Sequence, residues 1–232
     1  MCGRFVLKTP AAKIAEIFQA ELLEKFPPHF NVAPGSWIPV VRYDPNKKER
    51  FINRLHWGLV PSWSKDRKLQ HNTINARAET IGELAAFKSA YKHRRCLIPA
   101  DGFYEWDRSI NPPQPYFFSL VEKVPFAFAG IWESWKLPPG EGPGDTLESC
   151  SIVTTEANRY VAKIFNRMPV MVAAKNYDTW LDPKLQDTGN FKTLLKPFPP
   201  EKMRGWPVSR MINEEKNNKP NCLKKMKVES VL

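Results

Sequence analysis

Arg95-Cys96-Leu97-Ile98-Pro99-Ala100-Asp101-Gly102-Phe103-Tyr104-Glu105-Trp106 carries an apolar run, a turn and a second run of strand-forming residues in one short stretch. Cys96 to Pro99 is short and uniformly apolar, as a buried strand is, and Asp101-Gly102 supplies the turn chemistry. The chain then re-enters a strand through Phe103 and Trp106. Upstream, the apolar strand Trp37 to Tyr43 meets a polar turn, Asp44 to Lys48, which predicts a hairpin into a second strand ending near Trp57. Downstream, strands are expected at Tyr116 to Val121, Phe126 to Trp132, Glu148 to Thr154, Val170 to Ala173 and Trp206 to Ser209. Thr9-Pro10 reads as N-cap and first position of a helix that places Ile14, Ile17, Phe18 and Leu22 on one face. A second helix carries Ile81, Leu84, Phe87 and Tyr91, and short ones are expected near 158–164, 176–181 and 191–195. Strands and helices alternate without a βαβ rhythm. The predicted class is therefore α+β, with residues 1–232 in a single domain. Its sheet is mainly antiparallel, curled toward a barrel and decorated by short helices. Residues 136–145, rich in Pro and Gly, read as a surface excursion. The lysine-rich end from about 217 to 232 reads as loosely attached.

The chain has 232 residues, 42% apolar and 12% aromatic, enough for a sizeable core and too apolar for a disordered chain. Its formal charge of +11 points to an anionic partner, nucleic acid or a membrane surface. Part of that charge sits in the terminal lysines, which form a solvated tail on the simpler reading. No run is apolar and long enough to span a membrane, and no signal-peptide core opens the chain. The four cysteines lack CxxC spacing, so neither a zinc site nor a disulfide scaffold is indicated; a reducing cytoplasm or nucleus is the expected compartment. No metal, no cofactor and a monomeric chain are the expectations.

Met1-Cys2-Gly3-Arg4-Phe5 is the other informative stretch. Removal of Met1 would leave Cys2 with an α-amine beside its thiol, a 1,2-aminothiol that condenses with an aldehyde to a thiazolidine. Both groups ionise within reach of neutral pH, near ~8 and ~8.5. Cys2 as a small apolar start to a strand is an equally good reading of the pentapeptide alone. Trp63 among Ser64, Lys65, Arg67 and Lys68 suits a stacked nucleobase beside its phosphates. Asn75 and Arg77, two apart, share a face if the segment is extended, so an amide and a guanidinium can meet one substrate. Glu105, flanked by Tyr104 and Trp106, is a general acid near neutrality if buried, or a solvent-facing lysine partner if not.

Taken together, these blocks resemble the SOS-response-associated peptidase family, the abasic-site-crosslinking proteins. Besides the two stretches quoted, the match runs through Asn31-Val32-Ala33-Pro34, Trp57-Gly58-Leu59-Val60-Pro61-Ser62-Trp63, Asn75-Ala76-Arg77-Ala78-Glu79, Ala129-Gly130-Ile131-Trp132-Glu133, Thr154-Thr155-Glu156-Ala157-Asn158, Arg167-Met168-Pro169 and Pro207-Val208-Ser209, in family order. The resemblance implies that Cys2, freed of Met1, forms a thiazolidine with the ring-opened aldehyde of an abasic site in single-stranded DNA. It implies Glu105 as acid/base and Asn75 as the residue that positions Cys2 and the sugar. Arg4, Arg77 and Arg167 match phosphate-holding positions, Trp63 a stacking position and Pro34 a loop at the DNA groove, with Ser209 on the same DNA surface. Lyase activity and self-removal of Met1 are further activities the resemblance implies. One position departs from the family pattern: Phe165 stands where a histidine usually precedes Arg-Met-Pro. Two rivals remain at this level. An N-terminal-nucleophile amidohydrolase or peptidase would use the Cys2 thiol on an amide, and a non-catalytic binder of single-stranded nucleic acid would leave Cys2 inert.

Overall fold

The computed structural model describes residues 2–137, 145–186, 188–227 and 232. The strands are β1 (Phe5–Leu7), β2 (Ala20–Leu22), β3 (His29–Val32), β4 (Trp37–Asp44), β5 (Glu49–Trp57), β6 (Asn75–Arg77) and β7 (Arg95–Ala100). They continue as β8 (Gly102–Asp107), β9 (Gln114–Leu120), β10 (Phe126–Lys136), β11 (Thr146–Glu156), β12 (Arg167–Pro169), β13 (Met171–Val172) and β14 (Met203–Pro207). The helices are short: α1 (Ala11–Phe18), α2 (Lys88–His93), α3 (Tyr177–Leu181) and α4 (Thr188–Phe191). Met1 and most of the excursion expected at 136–145 lie outside the described residues.

Five strands close a barrel. β4 pairs antiparallel with β5 and β7, β7 with β10, and β10 with β11. The ring shuts where β11 runs parallel to β5, with Ser149 opposite His56 and Cys150 opposite Trp57. A parallel pair needs a long crossover, and the chain between Trp57 and Thr146 provides it. A second sheet, in the order β14-β9-β8-β1-β3, lies against the barrel. The interface between them is aromatic: Phe5 meets Trp57 edge-on at 5.3 Å and Phe128 at 5.8 Å, and Phe103 meets Phe128 edge-on at 6.2 Å. Such pairs add specific geometry to the area they bury.

The stretch from Arg95 to Trp106 links the two layers. Every residue of β7 is buried, as a barrel stave covered on its outer face requires. At the turn, Asp101 Oδ2 accepts from the backbone N–H groups of Lys8 (2.6 Å) and Thr9 (2.9 Å), and Oδ1 accepts from the Thr9 hydroxyl (2.7 Å). Thr9 is thus committed to Asp101, and the helix starts one residue later than expected, at Ala11 with Pro10 as its cap. Gly102 is required by crowding: a Cβ there would stand 2.3 Å from the Phe117 ring and 2.4 Å from the Phe118 carbonyl oxygen.

Arg95 is a core pin. Its guanidinium donates to the carbonyls of Trp180 (2.7 Å), Tyr91 (2.8 Å), Lys92 (2.6 Å), Leu185 (2.9 Å) and Asp182, and lies over the Phe191 ring at 4.2 Å. Burial lowers its pKa to about 10, still charged at neutral pH. Arg95→Ala would strand those carbonyls and is expected to cost about 3–5 kcal/mol. The check is the urea midpoint, and Arg95→Lys is expected to restore little of it, because an ammonium cannot reproduce the planar fork.

The lysine-rich end, loose on the sequence reading, is pinned as far as Met226. Met226 N–H donates to the Pro207 carbonyl (2.9 Å), Lys225 bridges Val208, and the Trp206 indole donates to the Leu223 carbonyl (2.9 Å). Cys222 is fully buried in a small second core with Val6, Tyr104, Phe117, Val208 and Ile212. Lys224, Lys225 and Lys227 stay exposed, so the charge is solvated while the backbone is held.

Candidate active site

β1 and β8 bring the amino-terminal end to Glu105. They pair antiparallel with Phe5 opposite Phe103, and the Tyr104 N–H extends the ladder to the Arg4 carbonyl (3.0 Å). That register carries Cys2 past Glu105. From the other side β6 runs parallel to β11, Asn75 level with Ile152, and the Asn75 Nδ2 donates to the Cys2 carbonyl oxygen at 2.9 Å. The Asn75 Oδ1 is buried with no protein partner among the described residues.

All three groups are buried. Cys2 has no exposed surface, and burial, with a contribution from the nearby Glu105 carboxylate, pushes its thiol well above the ordinary range. Glu105 is 3% exposed, and burial raises its carboxyl from 4.5 to about 7. A carboxyl poised there is protonated in part of the molecules and ionised in the rest at neutral pH, as a group that both gives and takes protons must be. Among the described residues no cluster of His, Cys, Asp and Glu is arranged to hold a metal ion.

The SOS response associated peptidase (SRAP) family matches residues 1–215. This chain belongs to that family. It is 37% identical over 228 residues to the abasic site processing protein YoqW of Bacillus subtilis, spanning 96% of this chain and 99% of the relative. It is 32% identical to the abasic site processing protein HMCES of Xenopus tropicalis, over 86% of this chain and 67% of that protein. The fold matches a crystal structure of a Bacteroides thetaiotaomicron protein with a TM-score of 0.86 at 23% identity, covering 97% of this chain and all of the other. A Bordetella bronchiseptica structure matches with a TM-score of 0.75 at 26% identity, over 90% of this chain.

The other residues singled out by the resemblance differ in exposure and in the partners they hold. Arg77 is exposed at the end of β6. Arg4 donates to Asn31 Oδ1 (3.0 Å), the Ile212 carbonyl (2.7 Å) and Glu215 (3.3 Å). Arg167 forms a two-pronged pair with Glu79 at 2.7 and 2.9 Å, which holds the Glu79 carboxyl below its usual range. Trp63 is 60% exposed, with its indole N–H directed at the Ala85 carbonyl at 3.4 Å. Pro34 is half-buried in the turn between β3 and β4. Ser209 is occupied locally, its hydroxyl accepting from the Met211 N–H (3.3 Å) at the start of a 3₁₀ turn. Phe165 is half-buried two residues before Arg167.

Three residues received no role from the sequence, although Asn31 and Glu79 stand in matching blocks. Asn31 is fully buried; its Nδ2 donates to the carbonyls of Ile212, Glu214 and Asn217, each at 3.1 Å, while its Oδ1 holds Arg4. It moors the C-terminal segment to the site. Glu79 and Glu215, the two partners of the arginines, carried no motif beyond Glu79's place in a matching block.

Proposed function

We propose that this protein senses abasic sites in single-stranded DNA and traps them covalently through Cys2 once Met1 has been removed. The observation that carries the reading is the convergence of Asn75 and Glu105 on Cys2 inside a closed, basic protein. The names of the relatives support the lesion as substrate.

The abasic deoxyribose is mostly a cyclic hemiacetal. Protonated Glu105 gives its proton to the ring oxygen as the anomeric hydroxyl loses its own, and the ring opens to the aldehyde. The Cys2 amine adds to that carbonyl carbon, and loss of water leaves an imine. The thiol then adds across the C=N bond: sulfur bonds to carbon and its proton ends on nitrogen. The net change is aldehyde plus aminothiol to thiazolidine plus water. Glu105 relays the protons in these steps, and Asn75 fixes the Cys2 backbone so that amine and sulfur reach one carbon. Arg4, Arg77 and Arg167 hold the flanking phosphates. For Arg4 and Arg167 this requires exchange with Glu215 and Glu79, which are 65% and 48% exposed at the side chain. The two arginine side chains are themselves only 11% and 17% exposed, so a phosphate must replace each glutamate at a guanidinium the fold already holds in place. Trp63 stacks a base and Pro34 borders the strand. Ser209 holds the segment on the same surface.

Incubating the mature protein with an abasic single-stranded oligonucleotide should give a band that survives denaturation and an intact mass equal to the sum of the two less one water. An adduct that collapses to free DNA under denaturing conditions would leave only a binding module. Release of ammonia from glutamine would favour the amidohydrolase reading instead.

Phe165 removes an imidazole that would share proton transfer with Glu105. Phe165→His is therefore expected to speed crosslink formation or reversal by about tenfold. Time courses that coincide with those of the natural chain would count against a role for this position.

A further inference from the structure

We infer that Trp37, backed by His56, is a second base-stacking platform that extends the DNA track beyond the Pro34 turn. The inference rests on the single-stranded DNA reading above and adds a subsite to it.

Trp37 opens β4 and is 53% exposed, unusual for the largest apolar side chain. It sits directly across from His56 on β5, and the two rings meet edge-on at 5.9 Å with 78° between planes. The imidazole fixes the indole's orientation, so a broad face is presented without further ordering cost. The backbone behind it is rigid. Gly35 (φ +86°) donates to the Trp57 carbonyl at 2.8 Å, and Trp57 donates back to Ser36 at 2.9 Å. That clasp joins the Pro34 turn to Trp57, whose indole in turn donates to the Ile74 carbonyl (2.9 Å), next to Asn75. Trp37 is thus mechanically tied to the reacting centre and three residues beyond the groove-lining proline.

The surroundings are cationic. Arg67 and His71 lie close enough to His56 to help burial hold its imidazole below the usual range. Lys65 and Lys68, in the same segment as Arg67, are both exposed. An oriented aromatic face among cations matches a nucleobase with its phosphate. The ligand class is a nucleotide of the same strand flanking the lesion, bound without base specificity.

The test measures affinity for undamaged single-stranded oligonucleotides of about four and about ten nucleotides, using the natural chain, Trp37→Ala and Trp37→Phe. One stacked base is worth about 1–3 kcal/mol, so Trp37→Ala should weaken the longer ligand by about 5- to 150-fold and leave the shorter within about twofold. Trp37→Phe should retain most of the affinity for the longer one. Unchanged binding of the longer ligand by Trp37→Ala, or equal losses at both lengths, would overturn the platform while leaving the proposed function standing. A natural chain that binds neither oligonucleotide overturns both.

Discussion

Cys2→Ala is expected to abolish the denaturation-stable adduct, a loss of at least about a hundredfold, while leaving DNA affinity within a few-fold of the natural chain. The alanine variant still matures to a free amine, so it still condenses with the aldehyde. What it lacks is the sulfur that closes the ring. Its imine hydrolyses when the gel is run, and becomes visible only if borohydride reduces it first. The paired experiment, with and without reductant, therefore separates the amine's contribution from the thiol's. Reductant should rescue a band for Cys2→Ala and change little for the natural chain. The substitution removes one buried sulfur from a residue with no exposed surface, which costs on the order of 1 kcal/mol, so an unchanged fold is readily verified by the thermal midpoint. A stable adduct formed by Cys2→Ala without reductant would sink the thiazolidine mechanism.

The sequence and the structure agree where the signal is local, and part where it is not. The run Cys96 to Pro99, the Asp101-Gly102 turn and the hairpin at Asp44 to Lys48 are legible because strand and turn chemistry lie within a few residues. The closure of the barrel is not: β5 and β11 meet through residues far apart in the chain, and nothing near His56 announces Ser149. The helix expected to carry Leu22 ends at Phe18 because Gln19 takes a left-handed conformation (φ 49°), after which Ala20–Leu22 pairs with β5. The second expected helix shrinks to Lys88–His93, with Ile81 and Leu84 in turns before it. Charge was the least readable property. Arg95 is one of the cations behind the net charge of +11, yet it is buried in carbonyl oxygens and contributes nothing to a DNA surface. Arg4 and Arg167 look like free cations in sequence, but each meets a glutamate that only folding brings near. For Glu105 the sequence offered two environments, and burial selects the one in which its carboxyl titrates near neutrality.

Glu105→Gln is expected to slow crosslinking by about 10²- to 10⁴-fold and, unusually for a core substitution, to stabilise the protein above neutral pH. The sign follows from the raised carboxyl. Below about pH 4.5 the group is protonated in both folded and unfolded chains and costs nothing. As pH rises toward 7 the unfolded chain releases the proton while the folded chain keeps it, and above 7 the folded chain must bury a charge. A raised pKa of this size corresponds to a few kcal/mol, about 1.4 per unit, lost between those limits. Glutamine is nearly isosteric and never ionises, so its stability should run level across that window while that of the natural chain declines. Kinetics gives the matching readout. With the natural chain, the rate should rise as the Cys2 amine deprotonates near about pH 8 and fall as Glu105 loses its proton above about pH 7, so a bell with its crest near neutrality results. Removing the carboxyl leaves only the rising limb. A variant that reacts slowly yet keeps the full bell would place the descending limb on another group, and one that reacts at the natural rate would remove Glu105 from the proton relay altogether.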